Sequence, residues 1–206
     1  MYMSSQNPKF RITQSLLSSW LWVYKKDDGY EDFLSVLNRE KKPPTQAMLD
    51  GQHFENLLNR YLDGNPYVTA DKFAAKVENG VKTTAEYLWG AQQQVTLFKE
   101  ISVRGVPFLL HGVLDFLKAG IIYDTKFSKN YDFNKYLHSP QHPMYFALVP
   151  EAYEFQYLSC DGEYLYREIY RPEDCVPIDV TIGQFMDFLE QRNLIDTYCE
   201  KWKVKN

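Results

Sequence analysis

The stretch from Val95 to Phe127 constrains this chain most. It carries three successive runs rich in β-branched and aromatic residues, VTLFKEISVRG, VPFLLHGVLDFLKAG and IIYDTKF, separated only by Arg104-Gly105 and Lys118-Ala119-Gly120. Gaps this short hold no crossover helix, so the runs must pair as antiparallel hairpins joined by tight turns. Before them the pattern is helical. Leu16, Leu17, Trp20 and Val23 recur at helical spacing from Thr13 to Lys25, and Phe33, Leu34 and Leu37 repeat it from Tyr30 to Glu40. Lys41-Lys42-Pro43-Pro44 breaks the run, and a third helix follows from Thr45 to Leu62, with Met48, Phe54 and Leu58 on its apolar stripe and Asp63-Gly64-Asn65-Pro66 at its end. Ala70 to Gln93 is helical in part, interrupted by Gly80 and Gly90.

After the hairpins, Asp132 to Val149 is a helical pattern broken by Pro140 and Pro143. YEFQYLSCDG and EYLYREIYRP form two more strands turning at Asp161-Gly162, and Thr181 to Trp202 is one closing amphipathic helix. At 206 residues the chain suits one domain, with a helical part (1–93), a sheet core (94–171) and a closing helix (180–204). The expected fold is α/β: a mixed sheet of about five strands around a central antiparallel hairpin, with helices on both sides.

Charge and cysteine content narrow the function. A net charge of -4 argues against binding nucleic acid through a broad positive surface and leaves room for a local basic groove. Cys160, Cys175 and Cys199 are odd in number and lack a C-x-x-C pair, so neither a disulfide framework nor a zinc or iron-sulfur site is expected. Ile12 to Tyr24 falls short of the roughly 20 apolar residues that span a bilayer, so no membrane partner and a cytoplasmic location are expected.

The chemistry concentrates on the second hairpin. In Ile122-Tyr123-Asp124-Thr125-Lys126, alternation puts the Asp124 carboxylate and the Lys126 ammonium on one side, and Asp115 lies across the turn. Like charges facing each other on neighbouring strands repel unless a cation sits between them, and hard oxygen ligands suit Mg²⁺ or Mn²⁺. Lys126 beside such an ion is placed to hold a phosphate or orient water, the chemistry of phosphodiester hydrolysis. An isolated D-x8-D-x-K spacing is more often a solvated hairpin face. Here both acids follow runs of bulky apolar residues, where charges require partners. Glu55 lies beside the apolar stripe of the third helix, and Gly51, one turn earlier, is expected to let that helix approach the sheet. Of the histidines, His53 is expected at the surface and His111 as a structural residue, and neither joins the catalytic set. Lys129, Lys135 and Arg104 flank the core as solvated charges.

Taken together, these residues resemble the PD-(D/E)XK nuclease superfamily, in its RecB-like and viral recombination exonuclease branch. Gly112-Val113-Leu114-Asp115 and Ile122-Tyr123-Asp124-Thr125-Lys126 carry the resemblance. Gly51-Gln52-His53-Phe54-Glu55 is similar to a G-x-x-x-E motif on a preceding helix, and Gln141-His142-Pro143-Met144-Tyr145 to a following Q-x-x-x-Y helix. The resemblance spans about Thr13 to Tyr170, with the motifs in family order. It implies a restriction-endonuclease-like core in which Asp115, Asp124, Glu55 and the Thr125 carbonyl hold one or two Mg²⁺ or Mn²⁺ ions and Lys126 is catalytic. It also implies that Gln141 and Tyr145 support the substrate side and that the substrate is linear DNA, cut as an exonuclease in recombination or repair. Endonuclease action and a noncatalytic nucleic-acid-binding role are the alternatives. Relatives with an iron-sulfur cluster use four cysteines, so that cofactor is not expected. No helicase motif occurs, so a helicase or single-strand annealing partner would be a separate chain.

Overall fold

The computed structural model describes residues 9–65 and 71–204. Pro66 and Ala70, which the sequence reading placed at helix boundaries, lie outside them. The chain runs β1 (Phe10–Thr13), α1 (Gln14–Lys26), α2 (Tyr30–Leu37), α3 (Gln46–Leu62), α4 (Lys72–Leu88), β2 (Gln92–Val103), β3 (Val106–Lys118) and β4 (Ile121–Phe127). It continues with α5 (Gln141–Leu148), β5 (Glu154–Cys160), β6 (Leu165–Tyr170), α6 (Ile178–Gln191) and α7 (Ile195–Trp202).

The two hairpin turns follow from their residues. Arg104 and Gly105 both have positive φ, as do Ala119 and Gly120, which is the twist a two-residue connection between right-twisted strands needs. Thr13 and Thr45 cap α1 and α3 with hydroxyls that accept from the N–H groups of Leu16 and Met48.

Among the described residues the sheet has six strands and mixed directions. β3 pairs antiparallel with β2 along almost its whole length. On its other edge it is shared: β1 runs parallel to Phe108–His111, and β4 runs antiparallel to Phe116–Lys118. Residues 112–115 of β3 therefore have no strand partner on that edge. Beyond β4, β5 joins in parallel and β6 antiparallel.

Two apolar layers cover the sheet. Trp20, Phe33, Phe185, Leu189 and Tyr198 from α1, α2, α6 and α7, with α5, bury Phe108, Leu110, Leu114, Ile122 and Phe155 on one face. Phe54, Leu58, Val81 and Leu88 from α3 and α4 bury Phe116, Tyr123 and Leu158 on the other. Leu114 and Phe116 thus face opposite layers although they are two residues apart, and regular alternation would have kept them together. The slip falls at Asp115. Opposite it, Gln94 has φ +51, and Gln94–Asp115 is the only gap in the β2–β3 ladder.

Four expectations are corrected. The sheet has a sixth strand, β1, because Ile12 is buried against β3 while Thr13 already caps α1. The closing helix is two helices, broken at Asn193, whose φ is +57. Met48 is 62% exposed and not part of the stripe. Gly51 makes no close approach, since an added Cβ would meet nothing within 4 Å.

Candidate active site

The unpaired stretch of β3 is where the candidate residues gather. As β4 leaves β3 beyond Tyr123, no ladder bonds join the strands, and side chains bridge the opening. Asp115 Oδ2 accepts the Thr125 N–H at 3.1 Å, which ties the second acid's strand to the first. Asp124, 2% exposed, accepts a hydrogen bond on Oδ1 from the amide of Gln141. Its Oδ2 lies 2.7 Å from Lys126 Nζ. With that ion pair, both oxygens of Asp124 have a partner inside the protein.

The electrostatics follow from this crowding. Burial, then the charge of Asp124, pushes the Asp115 carboxyl up to about 8, against the pull of Lys126 and the Thr125 N–H. Burial opposes the charge on Lys126, but the carboxylates of Asp124 and Asp115 outweigh it and hold its pKa above the ordinary lysine value. Two adjacent carboxyls, one of them raised by burial and by its neighbour's charge, offer hard oxygen donors that fit a divalent ion such as Mg²⁺ or Mn²⁺.

α5 supports this opening from the first layer. Gly112 gives it room: a Cβ there would lie 2.7 Å from both Tyr145 Cε1 and Leu148 Cδ1. Tyr145 sits against this gap and donates its hydroxyl to the Val113 carbonyl, on the stretch without a strand partner, at 2.8 Å. Gln141 and Tyr145, each 6% exposed, thus face the protein's own carboxylate and backbone.

Glu55 approaches from α3. Its Oε1 accepts from Gln94 Nε2 at 2.7 Å, and its charge adds only the last of the influences on Asp115. Among the described residues no three His, Cys, Asp or Glu side chains meet at ion-holding separation, so Asp115 and Asp124 come together and Glu55 stays beside them. Thr125 takes part through its N–H. His53 stacks on Phe73 and pairs with Asp71, while Arg104 and Lys129 are neutralised by Asp187 and Asp50.

Two features were not legible in sequence. Gln94 looked like one member of a polar Gln92-Gln93-Gln94 run, and nothing in its neighbours signals a left-handed backbone. Behind Lys126, Tyr136 stacks on Tyr157 at 4.2 Å, and the Tyr157 hydroxyl lies 3.2 Å from His142 Nδ1. These rings come from a loop, a strand and a helix far apart in the chain.

No family model matches this chain, and no curated protein does. Among solved structures, the crystal structure of a protein designated SSO0001 is similar, with a TM-score of 0.55 and 14% identity over 92% of this chain and 80% of that one. At that identity the likeness concerns the fold.

Proposed function

We propose that the chain is a divalent-metal-dependent DNA nuclease, acting as an exonuclease on linear DNA in recombination or repair. The observation that carries this reading is the convergence of Asp115, Asp124 and Lys126 where β3 and β4 part. The two carboxylates, with the Thr125 carbonyl, would hold Mg²⁺ or Mn²⁺, which when bound supplies an acidified water and stabilises charge on phosphoryl oxygens. Gln141 and the Thr125 N–H fix the orientation of the two carboxylates, so the site needs little rearrangement. Lys126, about one-third exposed, keeps its charge and is placed to draw in a phosphate. A noncatalytic nucleic-acid-binding module is the reading favoured by Glu55, which is bonded to Gln94 and does not complete an acidic trio.

The test is incubation of end-labelled linear DNA and of covalently closed circles with purified protein and Mg²⁺ or Mn²⁺. An exonuclease degrades the linear form only, an endonuclease opens the circles as well, and Asp124→Ala abolishes either. Absence of any cleavage that depends on both metal and Asp124 would falsify the nuclease assignment.

A further inference from the structure

We infer that the face of β2 and β3 leading to Asp115 is a stacking platform for single-stranded nucleic acid, with Phe98 and His111 as its bed. This rests on the nuclease reading for its direction, since the platform would deliver a strand to that site. α3 and α4 cover the side of the sheet that carries Phe116, Tyr123 and Leu158, while on the same side of β2–β3 the side chains before Asp115 stay open. Phe98 is 55% and Val113 37% exposed. Phe98 and His111 are register partners, and their rings stack at 4.5 Å and 6° from parallel.

Continuity identifies the occupant. His111 and Val113 alternate onto one face of β3 that runs up to the slip at Asp115, so the stacked pair precedes the acid by four residues, about 13 Å along the strand. Charge points the same way. Arg11 is the register partner of Leu109 on this face and forms no ion pair with a described residue, whereas neighbouring Glu100 is neutralised by Lys9. A bare guanidinium, two stacked rings and an apolar neighbour suit a chain that alternates anionic phosphates with flat rings. A duplex hides its base faces, so only an unpaired strand can use such a bed, with little regard for sequence. Burial and the charge of Arg11 lower the His111 pKa, which keeps its ring neutral for stacking.

The experiment measures binding in EDTA, where cleavage plays no part. Fluorescent oligo(dT), an abasic oligomer of equal length and a duplex are titrated with wild type, Phe98→Ala, His111→Ala and Arg11→Gln, each checked for folding by thermal unfolding. Wild type is expected to prefer oligo(dT) over the abasic strand by about tenfold or more, and Phe98→Ala to erase most of that preference with the abasic affinity unchanged. Arg11→Gln weakens both strands alike and lowers the salt dependence. Photocrosslinking of a bromodeoxyuridine oligomer to wild type should map to Phe98 or His111. Equal binding of oligo(dT) and abasic strand, a preference unaffected by Phe98→Ala, or crosslinks elsewhere overturns the proposal. So does a dimer that Phe98→Ala dissociates, which assigns the face to a second copy of the chain. If no oligomer binds but metal-dependent cleavage of duplex occurs, the platform fails and the nuclease reading stands. Base-dependent binding without cleavage has the opposite meaning.

Discussion

At the scale of single residues, the candidate site sets two carboxyl groups beside each other, and burial with the charge of Asp124 raises the Asp115 pKa. Mn²⁺ is therefore expected to stabilise the wild-type fold by about 3 kcal/mol at a hundredfold excess over its Kd, seen as a rise in Tm, and Asp124→Ala to abolish the rise. Gln141→Leu leaves Asp124 without its amide donor and should weaken metal affinity 10- to 100-fold, read from the same melting curves. His142 offers an independent check away from the acids. It is buried, stacked on Tyr170, and burial lowers its pKa to about 4. Above about pH 6.5 both folded and unfolded chains carry it neutral. As pH falls the unfolded chain takes up the proton first, so stability should drop by up to about 3 kcal/mol between pH 6.5 and 4. Urea unfolding at stepped pH measures this, and His142→Phe should flatten that part of the curve. That Asp115, Asp124 and Lys126 would lie near one another could be read from spacing because a short hairpin joins their strands. The roles of Gln94 and Tyr136 could not, because each depends on a partner distant in sequence.

At the scale of elements, the hairpins were legible because their turn residues and β-branched runs agree. β1 was not, since four residues ending in a helix cap leave no periodicity to detect. The closing helix looked continuous because Asn193-Leu194 does not disturb its amphipathic pattern, and only the left-handed Asn193 splits it. Two helical glycines differ in what surrounds them. A Cβ on Gly51 meets nothing, so Gly51→Ala is expected to stabilise by about 1 kcal/mol through helix propensity. A Cβ on Gly80 would lie 2.3 Å from Cys160 Sγ and 3.2 Å from the Gly162 carbonyl. Overpacking of about 1–3 kcal/mol there outweighs the propensity gain, so Gly80→Ala lowers stability. Denaturant midpoints compare the two, and Cys160→Ala in the Gly80→Ala background should recover part of the loss.

At the scale of the whole molecule, two apolar layers share one sheet, and β4 and β5 contribute side chains to both. Neither layer can dissolve without exposing the strands that support the other. Tryptophan fluorescence and far-ultraviolet circular dichroism are therefore expected to report a single coincident unfolding transition. Separate midpoints for the α3–α4 side would show the layers to be independent. The matched irregularity at Gln94 and Asp115 has a consequence for how this architecture can change. Because both strands turn over together, their downstream contacts survive, whereas a one-residue deletion in either strand would send its apolar side chains toward water. The same twist sets Asp115 at the crossover between the two helical layers, so its position is fixed by the backbone of both strands and shifts if either changes length.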